Sequence, residues 1–412
     1  MKSARDLERA TRGEGGDSAS FPTAEKGQED HMRRYRTVIA GLALAIGLVG
    51  CAGQNPGETP PAAQNQAAEA APEASEPSGD DDAAPEPDAH DAEAAAARNA
   101  LELTGPAEAE DVPDMQAVIT GVEPSLPATL TDASEAEVTV TSAERILSLD
   151  LYGTLTDTLI GLGLDDRLVG RANSDTQAAL EDLPVVTRGG HDLNVEAVLQ
   201  LDPDLVLTNT TIGSEAMYEQ LESAGVTVVR FEQVPSLENI ETEIAQVGRA
   251  LGVEAAAEEL AEHTAAELER AKEQVDALRS QTPRDPRGAV LYIRGTAGVF
   301  FIFGADYGAS EILDFLGLED VAKANGITDL KPANAEALVS LDPEIILAMS
   351  EGVASTGGID GLLERPGMSA TTAGENERII TAPDTQLLSY GPRTPDNLLA
   401  LAEAIYTETG GD

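Results

Sequence analysis

The stretch NVEAVLQLDPDLVL at residues 194–207 returns as NAEALVSLDPEIIL at residues 334–347, 140 positions later. Asn, Glu-Ala and Leu-Asp-Pro keep their places in both copies, and self-similarity at a fixed offset marks a duplicated structural unit. In each copy the Asn predicts a helix N-cap, Leu-Asp-Pro closes the helix, and the apolar run that follows predicts a buried strand. The duplication therefore predicts two related lobes, with Glu196 and Glu336 at equivalent places, one on each. An acid in a first helical turn gains a few tenths to about 1 kcal/mol from the helix dipole. A pair placed symmetrically on two lobes is also suited to docking.

Outward from the repeat, short apolar runs alternate with helical patterns. RILSL (145–149), RLVG (167–170), DLVL (204–207) and VTVVRF (226–231) predict strands, separated by helices over 154–162, from 194 and from 214. A second set follows in AVLYIRG (289–295), a helix over 310–316, EIILAM (344–349) and RIITA (378–382). This is the rhythm of parallel strands joined by helices, an α/β fold. Between the sets, Leu260, Thr264, Leu268, Ala271, Val275 and Leu278 form an apolar stripe at spacings of three and four. A helix over roughly 254–280 would span about 40 Å, enough to join two lobes. The expected architecture is two Rossmann-like lobes on one long backbone helix: an N-terminal lobe over 127–250, the inter-lobe helix over 251–282 and a C-terminal lobe over 283–412.

Composition narrows the function. Seventy-four acidic residues against 26 basic ones give a net charge of −48, which lacks the basic footprint that nucleic acid requires. Cys51 is the single cysteine, so neither an internal disulfide nor a thiolate metal cluster is available. Arg33, Arg34 and Arg36 precede an apolar run over 38–50 that is too short to span a bilayer, the pattern of a signal peptide. Leu48, Val49 and Gly50 before Cys51 resemble a bacterial lipobox, which implies cleavage and lipidation at Cys51 and attachment to the outer face of the cell membrane. Residues 1–31 read as an extension ahead of a better initiator, Met32, and residues 32–50 as the lipoprotein signal. From Cys51 to residue 126 the chain is rich in Ala, Pro and acid, and such a segment is expected to be a disordered tether.

RGGHDL at 188–193 holds one of four histidines. Two glycines before His191 permit a turn that aims a side chain. Tyr292 and Arg294, two apart in an expected strand, point to one face, where a guanidinium supports a phenolate. Absent are a Gly-x-Ser-x-Gly elbow, a P-loop and a His-Glu-x-x-His site, so hydrolase and nucleotide chemistries have no support. The enzyme class is not expected.

RILSLDLYGTLTDTLIGLGLDDRLVGR (145–171), the repeat, the long helix, GHDLN (190–194), YIRG (292–295), GGIDGLLERPGMSAT and LLSYGPRTP together resemble the solute-binding proteins of iron-complex ABC transporters. Within that class the chain is similar to the hemin-binding HmuT lipoproteins of actinobacteria, over roughly residues 127–410. The resemblance implies a class III binding fold, a monomer, and ferric hemin as the transported ligand. It implies axial iron ligation by His191 and Tyr292, with Arg294 beside the tyrosine and Met349 near the heme. It further implies docking of Glu196 and Glu336 on arginines of an ABC permease dimer. Ferric iron suits phenolate and imidazole, and a tyrosine needs a nearby cation or the metal to lose its proton near neutrality. The same fold serving a ferric siderophore or cobalamin is the alternative, and a tetrapyrrole chelatase-like enzyme stands third.

Overall fold

Both copies of the repeat fold alike. In the computed structural model, which describes residues 96–189, 191–295 and 299–408, they form the helices Val195–Leu201 and Ala335–Leu341. Asn194 Oδ1 accepts from the Ala197 amide at 3.3 Å and Asn334 Oδ1 from that of Ala337 at 2.9 Å. Each helix ends on a left-handed aspartate, Asp202 at φ 48° and Asp342 at φ 43°, and each then enters a fully buried strand, Leu205–Thr208 or Ile345–Met349.

These strands build separate sheets. In the N-terminal lobe Ile146–Leu149, Leu205–Thr208 and Thr227–Arg230 are parallel, with the repeat strand in the middle. In the C-terminal lobe Ile379–Ala382, Ile345–Met349 and Arg287–Arg294 run parallel, and Val299–Ile302 then adds antiparallel to the last of them. Buried on both faces, the parallel strands read as continuous apolar runs, as helix-covered sheets require. Each lobe has its own core: Leu147, Leu149, Val198, Val206 and Leu221 in one, Leu291, Ile293, Leu338, Ile346 and Leu362 in the other. The result is the expected two-lobed α/β architecture.

Glu254–Arg279 is one helix of 26 residues, about 39 Å long. It packs against the helices Ile240–Leu251 and Thr394–Tyr406, one from each lobe, and buries Ala257, Leu260, Thr264, Ala271 and Val275. His263 lies on its exposed face, 3.5 Å from Glu267.

Two sequence expectations need correction. Residues 96–126, assigned by composition to the tether, are folded. Ala107–Glu108 adds a parallel strand beside Ile379–Ala382, and the Arg98 amide donates to the Tyr406 carbonyl at 2.8 Å. The same segment then crosses to the N-terminal lobe, where the Val118 and Ile119 amides both donate to the Gly161 carbonyl at 3.0 Å. Backbone pairing and the burial of small residues such as Ala100 and Ala109 order it despite its acidity. Hence the lobes share a second covalent connection besides the long helix. RLVG (167–170) is not a strand but a 3₁₀ turn, Asp165–Arg167, followed by a single parallel bridge from Leu168 to Ile146. The hairpin Ala128–Thr131 with Glu137–Val140 was not foreseen either. Residues 1–31, the signal peptide, Cys51 and the tether up to residue 95 lie outside the described residues.

Candidate functional site

Tyr292 and Arg294 lie near the end of the strand Arg287–Arg294. Leu291 and Ile293 point into the C-terminal core, so strand alternation sends Tyr292 and Arg294 to the opposite face. The antiparallel neighbour pairs Phe301 with Tyr292 and Val299 with Arg294. Tyr292 is only 8% exposed and meets the edge of Phe303, ring centroids 5.8 Å apart.

The arginine does not simply point along the strand. Its guanidinium carbon lies 4.8 Å from the centre of the Tyr292 ring, Nη1 donates to the Ile293 carbonyl at 3.0 Å, and Nη2 is ion-paired with Asp384. Burial raises the Tyr292 phenol above its ordinary value, with the Arg294 charge opposing and Asp384 adding to the rise. Burial raises the Asp384 carboxyl too, again against Arg294. A phenol shifted upward holds its proton at neutral pH, so a metal that takes its oxygen must displace that proton, and the guanidinium lowers the penalty. Tyr152, in the loop before the helix Thr154–Gly161, feels the same three groups: burial chiefly raises its phenol, with Tyr292 and Asp384 adding and Arg294 opposing. That loop is pinned by Asp150, which is buried and accepts from the amides of Tyr152, Thr154 and Leu155 at 2.9, 3.1 and 3.0 Å.

His191 comes from the other lobe. It lies in the turn joining the short strands Thr187–Arg188 and Asp192–Leu193, after Gly189 at φ 56°, a left-handed value that glycine adopts freely. Its carbonyl accepts from the Gly213 amide at 2.8 Å, which fixes the backbone. Its ring is partly exposed, yet Nδ1 is buried without a hydrogen-bond partner among the described residues. A buried polar atom left unpaired is uncommon and asks for a ligand. The structure thus brings Tyr292, Arg294 and Asp384 together and puts His191 on a separate element. An imidazole nitrogen and a phenol with a guanidinium beside it form a donor set that fits ferric iron.

Met349 ends the strand Ile345–Met349 with no exposed surface, so it presents nothing to a ligand in this conformation. Glu196 and Glu336 are both exposed, each in the first turn of its repeat helix. Arg393 is directed at the N-terminal lobe, with Nη1 3.9 Å from Asp157. Asp157 also accepts from Gln177 at 2.5 Å. Burial pushes Asp157 up to about 8, with Arg393 opposing, and Asp175 up to about 7, with Asp150 adding to it. Asp384 and this buried acid cluster are what the sequence reading missed; nothing in PDTQL or TLTDT separates them from the many solvated acids. A cavity of about 670 Å³ lies beside the hairpin, lined by Pro127, Thr131, Arg230, Arg249 and Glu254. It holds none of these groups, and its Arg230 is engaged by Glu215 and Glu222 at 3.0 and 2.8 Å.

Residues 150–385 match the family model described as "Periplasmic binding protein". A crystal structure of a heme-binding protein, HmuT, superposes with a TM-score of 0.71 at 44% identity, covering 75% of this chain and all of that one. Further structures of that protein carry alanine in place of a histidine, a tyrosine, and an arginine two residues after the tyrosine. An uncharacterized ABC transporter substrate-binding lipoprotein of Bacillus subtilis is 27% identical over 285 residues, 69% of this chain and 87% of its own length. A cobalamin-binding protein of Halobacterium salinarum is 32% identical over 229 residues, 54% of this chain and 58% of its own.

Proposed function

We propose that this chain, which belongs to the periplasmic binding protein family, is the extracytoplasmic heme receptor of an ABC importer and grips ferric heme between His191 and Tyr292. The observation that carries this reading is the Tyr292–Arg294 pair, a stacked guanidinium two residues after a buried tyrosine. The same two residue types at the same spacing were replaced in the heme-binding relative. The partly exposed imidazole of His191, on a separate element, supplies the second donor. In this reading Tyr292 loses its proton to solvent as iron binds, Arg294 compensates the phenolate, and Asp384 holds Arg294 in place.

Attachment is through lipidated Cys51, in keeping with the lipoprotein among the relatives. Glu196 and Glu336 dock the receptor on a permease dimer. A family of binding proteins leaves the chelatase-like enzyme without support.

The test is an absorption titration of the full chain with ferric hemin. One equivalent should produce a Soret band with ligand-to-metal features, and His191→Ala and Tyr292→Phe should each change it. Unchanged spectra in both variants would overturn the ligand assignment. The relative named for cobalamin favours a second reading, in which a corrin is bound equally well by both variants.

A further inference from the structure

Among the described residues the strongly exposed large hydrophobic side chains are Val185 at 43%, Leu199 at 36% and Val339 at 48%. Two of the three occupy the same place in the repeat: Leu199 follows Glu196 by three residues, and Val339 follows Glu336 by three. On each helix the outward positions form one stripe, Glu196, Leu199 and Gln200 on one lobe, Glu336, Val339 and Ser340 on the other. Residues three and four apart share a helix face, so each stripe is an acid beside an aliphatic side chain. The inward positions behave as a core should, with Val198 and Leu338 buried.

A chance exposed aliphatic needs no explanation, but two at equivalent positions of a duplication, each beside an equivalent acid, call for a partner that presents two equivalent sockets. A second copy of this chain is disfavoured as that partner, since it would bring acid onto acid in a molecule of net charge −48. The acidic segment ahead of the folded body is disfavoured on the same ground. Charge complementarity instead requires a basic side chain next to an apolar dimple, twice over, as a two-fold symmetric membrane partner supplies.

We infer that Leu199 and Val339 are the apolar halves of two equivalent docking patches, completed by Glu196 and Glu336, that seat the two copies of a permease subunit. The inference rests on the docking role proposed above and divides the labour within it. Exposed acids steer the encounter and set its salt dependence, whereas desolvated aliphatic contacts set how long the complex lasts.

The experiment measures association and dissociation of the full chain on its permease–ATPase complex in nanodiscs at low and high salt. Leu199→Gln and Val339→Gln should each speed dissociation by about threefold to tenfold, the loss expected when the exposed third to half of one aliphatic side chain is what the partner buries, with association rate and salt slope unchanged. The double variant should show roughly the product, Leu199→Met should behave as wild type, and the hemin spectrum should stay intact in all. Glu196→Gln with Glu336→Gln should slow association and flatten the salt slope. Wild-type dissociation of the two aliphatic variants, with the glutamate variants impaired, overturns this inference and leaves the docking role standing. Wild-type behaviour of both sets removes the docking role itself. A chain dimer in light scattering that Leu199→Gln and Val339→Gln abolish assigns the patches to a second copy and equally overturns the inference.

Discussion

The Arg294 guanidinium lies 4.8 Å from the centre of the Tyr292 ring while Asp384, from the helix Asp384–Leu387, engages its Nη2. The tyrosine is therefore held between a cation that favours its phenolate and a carboxylate that opposes it. The sign of each effect fixes what the substitutions do. Arg294→Ala leaves burial and Asp384 unopposed, so hemin affinity should fall by about tenfold, the size of one partly desolvated cation–aromatic contact, and the onset of binding should move to higher pH. Asp384→Asn keeps a hydrogen-bond acceptor for Arg294 but removes the opposing charge, so the onset should move to lower pH. Hemin titrations between pH 5 and 9 read both shifts, and a common direction for the two variants would refute this account.

Residues 96–126 carry more of the fold than their composition suggests. A chain starting at Pro127 loses the strand Ala107–Glu108 and uncovers the edge of Ile379–Ala382, and an unpaired strand edge templates aggregation. It also loses the bonds to the Gly161 carbonyl. Such a truncation should unfold several degrees lower and aggregate, whereas one starting at residue 96 should melt as the full chain does in calorimetry.

Stability should fall as pH rises, the reverse of the usual carboxylate behaviour. Burial pushes Asp157 up to about 8, far above the value near 4 of an unfolded aspartate. Between about pH 4 and pH 8 the folded protein thus holds a proton that the unfolded chain releases, and unfolding becomes easier as pH increases through that window. Asp157→Asn removes this titration, so its melting temperature should change less between pH 5 and 8.5 than that of the wild type. An identical slope for the two proteins would show that Asp157 is not the group responsible.

The repeat caps should differ in worth. Asn334 accepts from Ala337 at 2.9 Å and Asn194 from Ala197 at 3.3 Å. Asn334→Ala should destabilise by about 1 kcal/mol, typical of a lost N-cap, and Asn194→Ala by less. Denaturant midpoints of the two variants check the order.

By itself the sequence determined the two lobes, because a duplicated Asn cap, first-turn acid and Leu-Asp-Pro stop act through local chemistry that needs no distant partner. The long helix was legible for the same reason, its period being written in Leu260, Thr264, Ala271 and Val275. The Tyr292 and Arg294 common face followed from strand alternation. Tertiary structure decided what depends on partners far along the chain. Asp384 reaches Arg294 across 90 residues, Ala107 pairs with Ile380, and the unpaired Nδ1 of His191 follows from what surrounds it. Composition misjudged residues 96–126 because order there comes from backbone hydrogen bonds to a sheet and a helix, a contribution to which side-chain polarity is blind.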